Sequence, residues 1–301
     1  MTAVTAPMLL AENKALDPLN VLRTIAITDG IPELVRLFDF QRTFAENLGL
    51  LFAQNSTYFR YAESELHRNF RTPETYNILL YGMATGHNRI SQLAEFSGFP
   101  QNKCDKYLKA LDKAGLLETV QRKDTTGHVR THYYPKGVYW KTWFRYVFPS
   151  QGRCLKPLEG DSLLLLANDI DRSIVAEYFK TVCWKWMKKN YGDYYWDEIL
   201  RFDNPKQQDV TVNGVHFDYA LETKDHTIYV KIWDDIGEGF PKAEFQRIEA
   251  ATTAVRPFYE NIYFLFSAGK ACNYVEQLRS LDTVAVVNLK SLLGQKNTGL
   301  F

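Results

Sequence analysis

The sequence predicts a multidomain α+β protein that is helical toward its amino-terminal end and mixed α/β toward its carboxy-terminal end. Apolar residues recur every three or four positions through roughly the first 115 residues, which is the helical period, and at alternate positions between residues 209 and 233, which is the period of strands. The chain has 301 residues, and domains average roughly 150 residues. The length therefore predicts about two domains, and the order of elements divides the chain further into three segments, residues 1–71, 72–149 and 150–301, of which the first is too small to stand alone.

The first segment is predicted to be a helical subdomain. Leu22 and Ile25 lie at helical spacing, and a break at Gly30 separates them from a second apolar group that includes Leu34. Residues 55–57, Asn-Ser-Thr, are typical of a cap that starts a further helix.

The second segment predicts three helices followed by a β-hairpin. Thr72 is predicted to cap the first helix, with Pro73 at its first position, and the other two helices cover residues 89–97 and 101–114. Residues 98–100, Gly-Phe-Pro, form the turn between them. Two alternating stretches, residues 116–121 and 128–134, flank a polar loop that ends at Gly127. This order of elements predicts a winged helix-turn-helix.

An aromatic stretch, residues 139–148, follows the hairpin, and we predict a helix there that packs the winged helix against its neighbours. Residues 149–160 are rich in Pro and Gly and are the best candidate for a linker. Residues 162–189 predict one or two helices. Their predicted buried row is Ile174, Tyr178, Val182 and Trp186.

The third segment predicts an α/β domain. Residues 213–214, Asn-Gly, are the typical turn of a tight hairpin between two alternating stretches. Strands and helices then alternate toward the end of the chain. The predicted strands are residues 209–212, 215–221, 227–233, 261–267 and 283–287, and the predicted helices are residues 243–258 and 274–281.

The charge of the chain is near zero in total but strongly polarised along the sequence. Lys and Arg number 36 and Asp and Glu number 35, for a net charge of +1. Residues 100–145 carry ten Lys or Arg against four Asp or Glu, a net of +6, whereas residues 193–260 carry seven against fourteen, a net of −7. A partner with phosphate groups is therefore expected at the basic region and is repelled by the acidic one.

The sequence has none of the features that would indicate a membrane protein, a secreted protein or a zinc-binding protein. The longest apolar run, residues 163–167, is far shorter than the roughly 20 residues of a membrane span. The first residues lack the basic start of a secretory signal, so we expect a cytoplasmic protein without a membrane partner. The four cysteines and six histidines are scattered at spacings that match no disulfide framework or zinc-ligand set.

The basic region predicts a contact with double-stranded DNA. Lysines recur along the third helix of the winged helix, and arginines and a lysine lie on its hairpin, where they would neutralise phosphates beside a groove. Side chains at the start of that helix are placed to reach base edges. The predicted contacts are Gln101, Asn102, Lys103, Lys106 and Lys109 on the helix, and Arg122, Lys123 and Arg130 on the hairpin.

Four stretches carry a resemblance to a known family: residues 30–32; residues 90–94 followed by Tyr107, Leu108 and Leu111; residues 143–147; and Phe217-Asp218 before an apolar strand that ends at Trp233. From residue 17 to residue 290, the chain resembles the carboxy-terminal half of the archaeal-type ATPases. The resemblance implies lid-like helices, a winged helix and a restriction-endonuclease-like domain of the PD-(D/E)XK kind. The phosphate-binding sequence Gly-x-x-x-x-Gly-Lys-Ser/Thr does not occur here, so we expect no ATP binding.

The resemblance also implies a catalytic site in the third segment. Nucleases of this fold hold Mg²⁺ with an Asp at a strand end and a Glu-x-Lys on the next strand, because a hard divalent cation takes oxygen ligands. Asp218 matches the Asp and metal-ligand position and Lys231 matches the Lys, but Tyr229 stands where the Glu belongs. The family's first helix bears a Glu near Phe179, where this chain has Lys180. The carboxylates that could compensate are Glu222, Asp234, Asp235 and Glu177.

Three functions follow from these observations. The first is a DNA-binding protein with a nuclease-like domain that has lost catalysis and needs no cofactor, since one carboxylate is a poor Mg²⁺ site. The second is an active nuclease that uses Mg²⁺. The third is an interaction subunit that pairs with a separate P-loop ATPase through residues 17–70. The alternative partner is a second copy of the chain.

Overall fold

The computed structural model describes residues 3–53, 55–123, 128–150, 160–191, 194–195, 198–204, 206–269 and 272–293. Within these ranges the chain is a mixture of helices and strands, and the predicted α+β class is confirmed. The helices are α1 (Ala6–Glu12), α2 (Pro18–Thr28), α3 (Pro32–Val35), α4 (Phe44–Leu51), α5 (Thr57–Asn69), α6 (Glu74–Ala84), α7 (Ile90–Ser97), α8 (Gln101–Lys113), α9 (Val138–Thr142), α10 (Asp161–Ile170), α11 (Ala176–Tyr191), α12 (Lys242–Thr253), α13 (Asn273–Gln277) and α14 (Leu289–Leu292). The strands are β1 (Leu117–Lys123), β2 (Val129–Pro135), β3 (Tyr194–Tyr195), β4 (Glu198–Ile199), β5 (Gln208–Val212), β6 (Val215–Glu222), β7 (Thr227–Trp233), β8 (Asn261–Ser267) and β9 (Val284–Asn288).

The chain divides into two compact units. Unit 1 comprises residues 1–4 and 24–170, and unit 2 comprises residues 5–23 and 171–301. The predicted boundary at residue 71 falls inside unit 1, so helices α3, α4 and α5 share one compact unit with the elements that follow residue 71. The predicted linker falls mostly on residues 151–159, which lie outside the described part of the chain.

Helices α4 and α5 of unit 1 begin with side-chain caps. The Thr43 hydroxyl accepts the Glu46 backbone N–H, and the Glu46 carboxylate accepts the Thr43 N–H, so the first turn of α4 has its free donors satisfied. The Ser56 hydroxyl accepts the Phe59 N–H at 3.0 Å, which confirms the cap predicted for α5. The buried Tyr58 hydroxyl donates to the Ile27 carbonyl at 2.7 Å and ties α5 to α2 within the residues that belong to unit 1.

Helices α6, α7 and α8 and the hairpin of β1 and β2 follow in the predicted order. The chain turns between α7 and α8 at Gly98, whose φ of 70° is the left-handed conformation that glycine adopts without steric cost. One prediction here is wrong: α6 begins at Glu74, after Pro73, and Thr72 does not cap it. Pro73 itself adopts helical φ and ψ and takes the boundary position, because it has no N–H that needs a cap.

The aromatic stretch packs as predicted. It forms α9, a π-helical turn at Trp143–Val147 and a 3₁₀ turn at Phe148–Ser150. Trp143 is buried against Phe59 of α5, with ring centroids 6.1 Å apart, and Phe148 contacts Tyr81 of α6 at 5.5 Å. These ring contacts hold the helices before residue 71 and the helices after it in one core.

Unit 2 is built on a five-stranded mixed sheet. The strand order is β5-β6-β7-β8-β9, with antiparallel pairing from β5 to β7 and parallel pairing from β7 to β9. The turn between β5 and β6 has positive φ at both Asn213 and Gly214, 45° and 78°, which is the hairpin turn that the Asn-Gly dipeptide predicts. Beta strand β8 is buried along its whole length, as expected of a central parallel strand covered on both faces.

Helices α11 and α12 cover opposite faces of this sheet. Phe245 of α12 packs with Tyr229 and Tyr263 on one face. On the other face, Trp186 of α11 lies 5.8 Å from Phe266, ring centroid to centroid. Because strand residues alternate between faces, odd-numbered residues of β7 and β8 point toward α12 and even-numbered residues point toward α11.

Some predicted helix details in unit 2 are wrong. Of the predicted buried row, Ile174 and Trp186 are buried, whereas Tyr178 and Val182 are half-buried. The other large buried residues of α11 are Phe179, Cys183 and Met187. A π-helical turn at Asp171–Val175 precedes α11 and adds a residue to the turn, which rotates every following side chain around the axis. The predicted helix 243–258 ends at Thr253, and the predicted helix 274–281 consists of α13 and a 3₁₀ turn at Leu278–Ser280.

Candidate nucleic-acid interface and strand-end carboxylates

Helix α8 carries a basic stripe directly opposite its buried face. Cys104, Leu108 and Leu111 are buried in unit 1. At 3.6 residues per turn, the positions farthest from them around the helix form an exposed row spaced by four, three and four residues, about 16 Å long. We call this row the α8 stripe, and it consists of Asn102, Lys106, Lys109 and Lys113.

Most of the charge on the α8 stripe is uncompensated. Lys109 donates to the Asp105 carboxylate at 2.7 Å, and this hydrogen bond raises the pKa of Lys109. Lys106 and Lys113 form no ion pair with the residues that the structure describes. The stripe therefore presents two unpaired ammonium groups and one that shares its charge with a carboxylate.

The predicted base-reading residues at the start of α8 do not share one direction. The Lys103 ammonium lies 4.0 Å from the Phe99 ring centroid and 5.7 Å from that of Tyr107, so its charge rests over two aromatic rings beside the stripe. The Asn102 side-chain oxygen accepts the Lys103 backbone N–H at 2.8 Å. Gln101 is exposed but lies about 100° from Asn102 around the helix. Of Gln101, Asn102 and Lys103, Asn102 alone therefore lies on the α8 stripe.

The hairpin places two of its predicted DNA contacts directly opposite each other. Arg122 of β1 pairs with Arg130 of β2, and both are exposed. Lys123 pairs with Val129, and its side chain is outside what the structure describes. Residues two apart along a strand share a face, so His132 and Tyr134 lie on the same face as the two arginines.

The other face of the hairpin is turned toward α8. Leu117 and Pro135 on that face are buried. Tyr133, on the same face, has its pKa raised by partial burial and by the nearby charge of Asp105 on α8, and the charge of Lys109 opposes the rise. The Tyr133 N–H also donates to the Asn88 carbonyl at 2.8 Å, which ties the hairpin to the start of α7. The two arginines therefore point away from α8.

In unit 2, Asp218 lies where the pairing of β6 with β7 stops. Backbone pairing runs from Glu222 opposite Thr227 to Tyr219 opposite Val230 and does not continue to Asp218. Instead, the Asp218 carboxylate oxygen Oδ2 accepts the Ile232 backbone N–H at 2.7 Å. The side chain takes the place of a strand carbonyl and satisfies a buried donor.

The second Asp218 oxygen faces a lysine. Lys180 of α11 places its Nζ 3.6 Å from Asp218 Oδ1 and 2.9 Å from Asp234 Oδ2, so one ammonium group bridges two carboxylates. Burial raises the pKa of Asp218, against the opposing effects of the Ile232 N–H and the Lys180 charge. Partial burial lowers the pKa of Lys180, but the hydrogen bond to Asp234 and the charge of Asp218 outweigh it and leave that pKa raised.

Lys231 makes no hydrogen bond or ion pair with Asp218, although its charge acts to lower the pKa of that carboxyl. It lies at an odd position of β7, on the α12 face, where its Nζ donates to the His216 carbonyl at 2.7 Å and lies 3.5 Å from Glu244 Oε1. Arg247 also donates to Glu244, at 2.9 Å. The alternation of β6 is interrupted between Phe217 and Ala220, which both pack on the α12 face, and this irregularity turns Asp218 toward α11.

The carboxylates that could compensate for the missing Glu differ in how close they lie to Asp218. Asp234 approaches Asp218 through Lys180. Glu222 lies four residues along β6 from Asp218, about 13 Å away, and pairs with Arg256 at 3.2 Å. Asp235 and Glu177 are exposed. Among the described residues, no group of three or more His, Cys, Asp or Glu side chains is placed to hold a metal ion.

Sequence reasoning missed the two partners that define these sites. In the sequence Lys180 stands out only as a departure from the Glu that the resemblance implies, and Glu244 is a single acid near the start of a helix, which carries no signal. Both are recognisable once the sheet brings their helices beside β6 and β7.

In the described part of the chain, no helix has the length and apolar character to cross a membrane.

The arrangement defines a mixed α+β protein with a basic helix-and-hairpin surface in one unit and a lysine-bridged carboxylate pair in the other. No family model, curated protein or solved structure matches the chain.

Proposed function

We propose that this protein binds double-stranded DNA through unit 1. Helix α8 is the helix that enters the major groove, and the hairpin of β1 and β2 is the wing beside it. The order α6, α7, α8, β1, β2 supports a winged helix-turn-helix, because the third helix of that motif leaves its outer face open to a groove.

The observation that carries the proposal is the α8 stripe. A helix that only covers a core needs no particular charge on its outer face, yet this one carries lysines at every position of an exposed row after Asn102. Lys106 and Lys113 are about 10 Å apart along the axis, a spacing at which they reach different phosphates. Such contacts release counterions, so the affinity depends steeply on salt.

The test is the affinity for a fluorescein-labelled duplex about two helical turns long, measured by anisotropy from about 50 to 200 mM KCl. Lys106→Gln/Lys113→Gln removes the two unpaired charges of the stripe. Since each phosphate contact contributes about 0.9 to the slope of log K against log salt, the double variant is expected to lower that slope by about 1.8. The matched control is Lys188→Gln/Lys189→Gln, which removes two exposed charges of α11 and leaves the slope unchanged.

Two outcomes contradict the proposal. Wild-type protein without measurable affinity for the duplex at the lowest salt would remove DNA binding altogether. Equal slopes for the stripe variant and the wild type would show that α8 does not make the contacts.

We further propose that unit 2 has a nuclease-like fold that does not cleave DNA. The order α11, three antiparallel strands, α12 and a parallel strand supports the fold. Three contacts support the loss of catalysis: Asp218 is engaged by the Ile232 N–H and Lys180, and Lys231 is engaged by Glu244 on the other face of the sheet. The net charge of −7 over residues 193–260 also disfavours an approach of phosphates to this unit.

A further inference from the structure

We infer that unit 2 binds a free basic α-amino acid, such as L-arginine, in a cavity at the carboxyl ends of strands β8 and β9. We call it the β8–β9 cavity. It lies between residues 17–19 at the start of α2, residues 268–269 after β8, helix α13, and residues 288–290 at the end of β9. All of these belong to unit 2, so the inference is independent of the DNA contact proposed for unit 1.

The pairing of β8 with β9 accounts for the position of the cavity. The two strands are parallel, and Ser267 at the end of β8 pairs with Asn288 at the end of β9, so the segments that follow them leave the sheet side by side. In open α/β sheets, ligands bind in the crevice outside the carboxyl ends of the strands. Neither Asp218 nor Lys231 lines this cavity, so it is separate from the residues that the nuclease resemblance singles out.

The size and the walls of the cavity suit a small ligand. Its volume is about 690 Å³, and small-molecule pockets typically measure about 300–1,000 Å³. After β8, the Ser267 hydroxyl donates to the Gly269 carbonyl at 2.9 Å, and the Gly269 N–H donates to the Glu238 carbonyl at 3.2 Å. This wall is therefore held by hydrogen bonds before a ligand arrives, which lowers the entropic cost of binding.

The charges around the cavity favour a basic amino acid. Among the described residues that line it, Asp17 and Glu276 carry carboxylates and Lys290 carries an ammonium group. A basic amino acid has the complementary set, since its α-ammonium and its side-chain cation match two carboxylates and its own carboxylate matches one ammonium. An ion pair with hydrogen bonds is roughly twice as strong as a neutral hydrogen bond. A phosphate ester would instead meet more like charge than unlike charge.

Two of the polar side chains are oriented by the backbone. Asp17 Oδ1 accepts the Leu19 N–H at 3.2 Å at the start of α2. Asn288 Oδ1 accepts both the N–H and the hydroxyl of Ser291, each at 3.1 Å, which caps α14. The Asn288 amide nitrogen forms no hydrogen bond with the residues that the structure describes, so it provides a second donor for a carboxylate beside Lys290.

Apolar side chains complete the lining. Leu19 and Leu289 line the cavity together with the charged groups. The methylenes of a basic side chain can pack on such residues while the charged end reaches a carboxylate. This combination of an apolar wall and a few polar groups is typical of small-molecule sites.

The test is isothermal titration calorimetry of the full chain with L-arginine and three analogues. We expect L-arginine to bind. L-citrulline lacks the side-chain cation and agmatine lacks the carboxylate, so each is expected to bind about tenfold more weakly, because one charged hydrogen-bonding partner is lost. L-glutamate, which brings a second carboxylate in place of a cation, is expected to show no measurable binding.

Substitutions in the lining assign the partners. Lys290→Gln is expected to weaken L-arginine about tenfold and to leave the affinity for agmatine unchanged, because agmatine has no carboxylate for Lys290 to bind. Asp17→Asn, which keeps a side chain that caps a helix, and Glu276→Gln are each expected to weaken L-arginine about tenfold. The matched controls are Lys224→Gln and Asp225→Asn, which change exposed residues in the turn between β6 and β7 at the opposite edge of the sheet. Both are expected to bind L-arginine as the wild type does.

Four outcomes would overturn the inference. They are a wild type that does not bind L-arginine, a wild type that binds L-glutamate as tightly as L-arginine, unchanged affinity for L-arginine in all three lining variants, and a Lys290→Gln variant that loses agmatine as strongly as L-arginine. The last comparison uses one protein with two ligands, so it stays informative if a substitution lowers stability. Thermal unfolding without ligand is measured first for every variant.

Discussion

Asp218 and Lys231 project from opposite faces of the five-stranded sheet, Asp218 toward Lys180 of α11 and Lys231 toward Glu244 of α12. A hydrolytic site needs its metal-binding carboxylates and its lysine around one point. In this chain each of the two residues is instead the partner of an oppositely charged side chain on a different helix. The two residues that the resemblance pairs therefore make no direct contact, although the charge of Lys231 still acts to lower the pKa of Asp218.

The first prediction concerns catalysis. Purified protein incubated with supercoiled plasmid and Mg²⁺ or Mn²⁺ is expected to leave the plasmid intact, because the Lys180 ammonium lies between Asp218 and Asp234 where a divalent ion would need their oxygens. Agarose electrophoresis measures the result. Cutting by the wild type that disappears in Asp218→Ala would show that unit 2 is an active nuclease.

The second prediction distinguishes the stabilising effect of the hydrogen bond that Asp218 accepts from that of its charge. Asp218→Ala leaves the buried Ile232 N–H without an acceptor, which is expected to lower the free energy of unfolding by about 1–3 kcal/mol. Asp218→Asn retains a side-chain oxygen for that N–H and is expected to cost less. Urea unfolding followed by tryptophan fluorescence measures both.

The exposed Asp235, just after β7, provides the control for these variants. Asp235→Ala is expected to change the free energy of unfolding by less than about 0.5 kcal/mol. Equal losses for Asp218→Ala and Asp218→Asn would mean that the charge of Asp218, and not its hydrogen bond to β7, stabilises this part of the sheet.

The third prediction is a pH dependence. Burial raises the pKa of Asp218 above its ordinary value of 3.8, so the folded chain binds this proton more tightly than the unfolded chain does. The free energy of unfolding therefore decreases as pH rises from 3.8 through the raised pKa, and the contribution is regained on acidification. Asp218→Asn lacks this titration, so its stability relative to the wild type is expected to improve as pH rises through that window. Urea unfolding at a series of pH values checks the sign, and a relative stability that instead worsens would show that the ion pair with Lys180 outweighs burial.

The fourth prediction concerns Arg23 and Asp171, which form a two-point ion pair within unit 2. Arg23 Nη2 lies 2.6 Å from Asp171 Oδ2, and Arg23 Nε donates to Oδ1 at 3.0 Å, with both side chains mostly buried. Arg23→Met strands the carboxylate and is expected to cost about 3–5 kcal/mol.

The double variant is the informative comparison for this pair. Arg23→Met/Asp171→Leu removes both charges and is expected to recover much of the loss, because neither partner is left buried alone. Thermal or urea unfolding of the two single variants and the double variant completes the cycle. Losses that simply add would contradict a coupled pair.

Local patterns in the sequence predicted most of the elements correctly. The strand at residues 261–267, the Asn-Gly turn and the helix from Gln101 depend on short-range preferences for turns, caps and apolar period, and the structure has them at or close to the predicted residues. Only half of the row predicted for residues 174–186 is buried, because a π-helical turn changes the phase of a helix without a marker in composition. The start of α6 was wrong because Pro73 and Thr72 offer two equally plausible boundaries.

The sequence by itself determined the α+β class, the order of the elements and the polarised charge, since each of these is a property of neighbouring residues or of simple sums. Only the tertiary structure decided the partners of the charged groups. Whether Lys106 is unpaired, whether Arg122 faces Arg130 and whether Asp218 faces Lys180 or Lys231 depend on strand register and on one irregularity in β6. The physical reason is that a shift of one residue in a strand moves a side chain to the other face of the sheet, and no local pattern records that shift.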